Sequence, residues 1–393
     1  VGSRGHHADV GGRTPGSAPP DSRHIDEEGV LINNFKLVDE GRFLEKETRV
    51  LLASGTYPCR NIDDNMADLA AQVAANETGV VEVRKMITQF GRSVVAAYMS
   101  HVQDNAEECV RRVISALKDG TYCYELDSGA QIQVTIRVDQ RHRSAMIDFT
   151  GTSPKDELNF NAPLAVCHAV VLYVFRTLVG AQIPLNQGCF KPLQIIAPEG
   201  SMINAAYPAA VIAGNTEVSQ AMCNALFGAL GVIAGSQATM NNFVWGNERL
   251  QNYETICGGT GAGPDFDGTS AIQTHMTNTR MTDPEVLEWR FPVRVEEFSI
   301  RRGSGGRGRH VGGDGVTRRL RFFEDMTVTV LGGHRRVPPF GVDGGESGQV
   351  GRDWVERVDG TIESIEGIDA CDVRPGDVFG METPAGGGWG TPG

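Results

Sequence analysis

No stretch of the 393-residue chain approaches the roughly 20 consecutive apolar residues that a membrane-spanning helix needs. The most apolar runs, Ala162–Leu178 and Ala221–Ala234, are broken by His168, Arg176, Asn224 and glycines. No Cys-x-x-Cys pair occurs, and the eight cysteines are scattered from Cys59 to Cys371. That spacing argues against a disulfide framework and for a reducing compartment, so a cytoplasmic location is expected. Cationic residues are in deficit: 36 Lys and Arg stand against 49 Asp and Glu, a net charge of -13. An acidic surface of this size argues against nucleic acid and anionic membrane as partners, and solubility with mild self-repulsion is its simplest reading. No Gly-Lys-Ser/Thr loop is found, so a Walker-type nucleotide site is absent from the sequence. A secretory leader and a solenoid repeat are also missing. The chain does not begin with Met and its first chemical motif starts at once, so a longer parent protein is expected.

What is present reads as an α+β protein of several layers. Residues 1–60 are loop-rich, with Gly11-Gly12, Pro15-Gly16 and Pro19-Pro20 as turns and a strand or two over Val30–Val38. Residues 61–125 form a helical segment, with helix over about 63–117. Met66, Leu69, Ala70 and Val73 recur at helical spacing after a cap at Asp63 or Asp64. A second helical stretch runs from Val80 to a stop at Gly91, and a third from Val94 to Leu117. Residues 126–256 are mixed α/β. Ile132, Val134, Ile136 and Val138 alternate with polar neighbours, as do Ala145, Ile147 and Phe149, which predicts a hairpin closing through Asp139–Arg143. Helices follow at Ala162–Leu178 and Glu217–Ala234. Residues 257–393 carry more than half of the 49 glycines and short strand-like pieces, and read as β-rich.

Four motifs can carry chemistry. His6, His7 and Asp9, within a Gly-flanked segment, offer imidazole and carboxylate ligands to one divalent ion. His24, with Asp26, Glu27 and Glu28 close by, can add to them. Such a mixed set suits Mn, Zn or Fe; a polar loop with merely hydrogen-bonded histidines is the bland alternative. Gly258, Gly259, Gly261 and Gly263, after the Tyr253–Cys257 run, can turn backbone N–H groups onto an oxyanion or carboxylate, or simply form a tight turn. In Thr274–Arg280, alternation along an extended strand places His275, Thr277 and Thr279 on one face and Asn278 and Arg280 on the other. His275 or Glu254 can manage protons and Arg280 can pair with a carboxylate, unless the segment only braces the glycine loop. Asn215, with the other amides of Asn159–Pro163, Gly214–Glu217 and Thr239–Asn242, can line a polar cleft or cap a helix. Cys257 fits a nucleophile or, more commonly, a small buried residue.

Taken together, the segments SRGHHADVGGRTPGSAPPDS, DNMADLAAQVAAN, NFNAPLAV, IPLNQGCFKPL, GNTEVSQ, YETICGGTGAGP, HMTNTRMTDPEVLEWRFPVRVEEF, RRGSGGRGRHVGGDGVTRRLRF and TPAGGGWG resemble the hydantoinase B/oxoprolinase family along the whole length. The RNIDDNMADLAAQVAAN and AYMSHVQDNAE stretches are most similar to the long single-chain 5-oxoprolinases. The resemblance implies ATP-dependent opening of the lactam of 5-oxo-L-proline to L-glutamate. It also implies a hydantoinase A-like ATPase domain or subunit that uses the ATP outside this chain. A homo-oligomer is expected. An N-methylhydantoinase, an acetone or acetophenone carboxylase-type subunit, and a non-catalytic docking module for the ATPase half are the alternatives. The family's metal spacing, HxxD, falls on His6 and Asp9. The NDP…GGTH-type stretch that normally precedes it lies outside this sequence, and with it an upstream histidine.

Overall fold

A computed structural model describes every residue except His6 and Ala8. The amino-terminal part is mostly loop. It contains a two-residue ribbon, β1 (Val38–Asp39) with β2 (Arg42–Phe43), and a short helix, α1 (Glu45–Leu52). The strand expected over Val30–Val38 shrinks to its last residue. Asn34 takes a positive φ of 47°, which breaks an extended run, and Val30 and Leu31 instead wall a cleft.

The helical segment appears as two helices rather than three: α2 (Ile62–Phe90) and α3 (Arg92–Ala116). Asn61, not Asp63 or Asp64, caps α2 by accepting from the Asp64 N–H. Gly79 is carried through the helix, whereas Gly91, at φ 84°, ends it as expected. Only Asn65, Met66 and Leu69 of α2 and Ala106, Val110 and Ile114 of α3 are buried. Between these, residues 70–105 are all half-buried or exposed, and Phe90, Tyr98 and Met99 are exposed. No helix among the described residues is long and apolar enough to cross a membrane.

The middle of the chain builds the first main sheet. Its order is β3 (Gly120–Glu125), β4 (Gln131–Asp139), β5 (Ser144–Asp148) and β6 (Leu193–Ile196), with β6 parallel to β5. The hairpin predicted through Asp139–Arg143 is β4–β5, with Asp139 opposite Ser144. Alternation works here because one face is dry: Ile132, Val134, Ile136 and Ile147 are fully buried. They pack with helices α4 (Leu164–Thr177) and α5 (Ser219–Leu230) in one core. A π-helical turn, Gly214–Val218, leads into α5.

The rest is β-rich, as expected. The second sheet has the order β14 (Ile368–Val373), β11 (Met326–Leu331), β7 (Asn242–Gly246) and β8 (Gln251–Thr255). The third has the order β13 (Ile362–Ile365), β12 (Arg352–Glu356), β15 (Val378–Glu382), β10 (Val316–Phe322) and β9 (Val293–Ile300), with a short helix, α6 (Pro284–Arg290), before β9. Inner faces of these two sheets share a second core in which Phe243 stacks on Phe379 at 4.9 Å between ring centres. The pleat of β7 and β8 therefore decides what faces where. Phe243, Trp245 and Glu254 point into the sandwich; Asn242, Val244, Tyr253 and Thr255 point the other way.

Candidate active-site cleft

A cleft of about 640 Å³ opens on that other side. Its walls come from six separated stretches: the amino-terminal loop with His7 and Glu28, the turn at Asn215, Asn242 on β7, Tyr253 and Thr255 on β8, Met276–Thr279, and Leu331 on β11. The amino-terminal motif and the Thr274–Arg280 motif thus meet. A second cleft of about 1030 Å³ lies behind Met276–Asn278 and is lined by Arg4, His168, Tyr173 and His275.

The histidine and carboxylate groups of the amino-terminal loop are largely spoken for. Asp9 is buried; its Oδ1 accepts from Gly11 N–H at 2.9 Å, and its Oδ2 from Gly16 N–H at 2.8 Å and Arg60 Nη1 at 2.9 Å. A guanidinium therefore faces Asp9 where a divalent cation would have to sit. His7 lines the cleft with Nε2 3.2 Å from Gln72 Nε2 and Nδ1 3.4 Å from Asp68 Oδ2. His24 stands apart, half-exposed, accepting from Asp26 N–H at 3.3 Å with its ring edge-on to Tyr207. Glu28 is buried, and accepts from Ser22 and from the Val211 and Ile212 N–H groups. His6 lies outside the described residues. Among the described residues, no three His, Cys, Asp or Glu side chains converge as a metal shell requires. The expected Mn, Zn or Fe centre thus does not fit the donors described.

The glycine loop is not an anion cradle. All six of its N–H groups are committed within the protein: Gly258 to Ile272 O, Gly259 to Pro384 O, Thr260 to Thr269 O, Gly261 to Ser236 Oγ, Ala262 to Gly387 O and Gly263 to Phe266 O. Glycine is required for close backbone approach instead. A Cβ on Gly259 would sit 1.9 Å from Gly313 O, and one on Gly261 1.8 Å from Ala234 O. Cys257 is buried and its thiol is pushed up to about 11 by burial, which suits the packed residue and not the nucleophile.

Glu254 is likewise withdrawn from proton transfer. It faces away from the cleft and accepts both contacts of Arg318 Nη2, at 3.0 and 2.9 Å, inside the sandwich. Burial raises its pKa and Arg318 only partly offsets this.

The expected strand over 274–280 is a turn, because His275 takes φ 51°. The alternation fails with it. His275 leaves the face of Thr277 and Thr279 and lines the second cleft, with Nε2 3.2 Å from Asn224 Oδ1 and Nδ1 3.4 Å from the Tyr173 hydroxyl. Burial lowers its pKa to about 4, so it is neutral near pH 7. Thr277 and Thr279 line the first cleft, and the Thr279 hydroxyl bonds to that of Thr255. Asn278 reaches both clefts. Arg280 is exposed and lines neither. Asn215 lines the first cleft, as one of its two readings had it, whereas Asn161 only ties its own loop to Asp156, Leu158 and Ala210.

Residue type alone missed Tyr253 and Glu217, whereas Asn242, one of the amides expected to line a polar cleft, does so. The signal was available for the first: β-alternation over Gln251–Thr255 separates Tyr253 and Thr255 from Glu254.

The family model for Hydantoinase B/oxoprolinase matches residues 1–392. The chain belongs to the hydantoinase B/oxoprolinase family. It is 41% identical over 399 residues to the 5-oxoprolinase of Dictyostelium discoideum, covering 99% of this chain and 31% of that protein. Against 5-oxoprolinase 1 of Arabidopsis thaliana it is 41% identical, covering all of this chain and 33% of the relative. The chain thus spans about a third of the length of these curated relatives. Its fold is that of the ATP-dependent caprolactamase from Pseudomonas jessenii, at a TM-score of 0.83 and 22% identity over 99% of this chain and 71% of that one. Acetone carboxylase in its nucleotide-free form gives 0.85 at 16% identity, over 98% of this chain and 60% of the other. Within this hydantoinase B/oxoprolinase fold, the first cleft is the candidate active site.

Proposed function

We propose that this chain is the ring-opening part of an ATP-dependent cyclic-amide hydrolase, with 5-oxo-L-proline as substrate and L-glutamate as product. The observation that carries the reading is the cleft in which His7, Asn215, Tyr253, Thr255 and Met276–Thr279 meet. Its size and mixed lining suit a small polar ring, with Val10, Val30, Ile212 and Leu331 excluding water and hydroxyls and amides orienting the ring. The 41% identity to proteins named 5-oxoprolinase supports the substrate.

Ring opening adds the oxygen of water to the lactam carbon, breaks the C–N bond and delivers a proton to the departing nitrogen. A lactam resists this step, and ATP cleavage supplies the drive. That cleavage is assigned to a hydantoinase A-like portion, in keeping with relatives three times longer. His7 is the imidazole placed at the first cleft to hold or move a proton. Asn278 lines both clefts, and His275 lines only the second. A cytoplasmic site of action belongs to this reading, supported by eight free cysteines.

The test is an assay of the intact protein for ATP-dependent glutamate release from 5-oxoproline, with and without bicarbonate. Release that is independent of bicarbonate supports a hydrolase. A carboxylated product, or no glutamate at all, sinks the proposal.

A further inference from the structure

We infer that Tyr253 is a specificity-determining residue, whose phenolic oxygen accepts a hydrogen bond from the ring N–H of a cyclic amide in the cleft. The inference rests on the ring-opening reading above and names the contact that would select its substrate.

Bond directions along one buried chain fix this role. The chain starts at Leu331 on β11, whose backbone carbonyl can only accept. Asn242 Nδ2 lies 2.6 Å from that oxygen and 2.8 Å from Glu217 Oε1. Those two acceptors use both amide protons and settle which way the amide points. The opposite atom, Oδ1, therefore faces the Tyr253 hydroxyl at 2.7 Å. An amide oxygen carries no proton, so the phenol must donate. A phenol has one proton to give. What Tyr253 retains for anything else is lone pairs. It lines the cleft as an acceptor, with its ring against the main core.

Glu217 anchors the far end. It sits on the π-helical turn, an arrangement that is rare and recurs at functional sites. Its Oε1 accepts from Met240 N–H at 3.1 Å as well as from Asn242. Its Oε2 is buried with no partner among the described residues, beside a cavity of about 30 Å³ lined by Tyr124 and His334. With burial raising its pKa, this geometry suits a neutral acid whose Oε1 serves as the acceptor for Asn242. Burial raises the pKa of both Glu217 and Tyr253, which keeps each proton in place at neutral pH.

An obligate acceptor discriminates. A ring N–H satisfies it, whereas a ring without one leaves a desolvated oxygen unpaired. Lactams and hydantoins carry that donor; N-alkylated lactams and cyclic ketones do not.

The experiment uses the intact protein, including its ATPase portion. Turnover of 5-oxoproline and of its N-methyl derivative is compared in wild type and in Tyr253→Phe. Wild type should favour the N–H substrate by roughly 10-fold or more in kcat/KM. Tyr253→Phe should lose most of that preference, mainly through activity on the N–H substrate. As a second measurement that needs no variant, wild type is titrated without ATP against 5-oxoproline and 3-oxocyclopentanecarboxylate, in which CH2 replaces N–H. The ketone should bind roughly 10-fold more weakly. Equal binding of the two rings, or an unchanged preference in folded Tyr253→Phe, overturns the inference while leaving ring opening intact. Failure of wild type to open 5-oxoproline overturns both.

Discussion

Arg318 on β10 holds Glu254 on β8 through one nitrogen placed 3.0 and 2.9 Å from the two carboxylate oxygens, with both side chains 2% exposed. The pair lies across the sandwich with Phe298 under the guanidinium. Removing one member strands the other charge in a dry interior. Glu254→Ala should therefore cost about 3–5 kcal/mol of stability, read by denaturant unfolding. A folded, fully stable variant with lost turnover would instead return Glu254 to the chemistry.

Glu217 gives a pH signature. Burial pushes its pKa up to about 8, against an ordinary value of 4.5. The native state thus binds more protons than the unfolded chain between those values. Its contribution is fully present below pH 4.5 and is lost as pH rises through about 8. Glu217→Gln keeps the neutral acceptor for Asn242 and Met240, so its unfolding free energy should lack this decline. Parallel stability–pH curves for the two proteins would contradict a neutral Glu217.

His275 works in the opposite sense. Its pKa is lowered to about 4 from an ordinary 6.5, so the unfolded chain binds the extra proton between these values. Stability contributed by neutral His275 is complete above pH 6.5 and falls as pH drops towards 4. In His275→Gln the fall over that window should be shallower, as followed by thermal melts. The pH–rate profile between 6 and 8 should keep its shape, since His275 does not titrate there.

The glycine loop separates packing from catalysis. Gly259→Ala forces a methyl group against the Gly313 carbonyl at 1.9 Å. A loss on the order of 1–3 kcal/mol or more is expected in unfolding experiments. An unchanged melting temperature with abolished turnover would restore the oxyanion reading.

Arg60 should matter as a loop anchor. Besides Asp9, it donates to the Gly11 and Gly12 carbonyls. Arg60→Met leaves a buried carboxylate with only two N–H partners, at a cost of roughly 1.5–3 kcal/mol. Proteolysis within residues 9–17 should quicken in parallel. Metal content that rises in Arg60→Met would show that Asp9 can bind a cation once its guanidinium is gone.

Legibility from sequence tracked the range of the forces involved. The β4–β5 hairpin and helix α4 were readable because one dry face imposes a period on nearby residues. The α+β class was also within reach. The uses of individual polar groups were not. Whether Asp9 meets a metal or Arg60 is decided 51 positions away, and whether Glu254 meets substrate or Arg318 is decided 64 positions away. Residue type drew attention to carboxylates and glycines, while Tyr253, less conspicuous chemically, took the cleft wall. The positive φ at His275 turned a simple alternation into a division between two cavities.

Strand β8 is a partition one residue thick, with recognition on one surface and an ion pair on the other. A slip of one position against β7 would bring Glu254 into the wet side and drive Tyr253 among the aromatics. Fidelity of substrate choice would then be inherited from strand registration, so distant changes that loosen the β7–β8 pairing should blur selectivity before they unfold the protein.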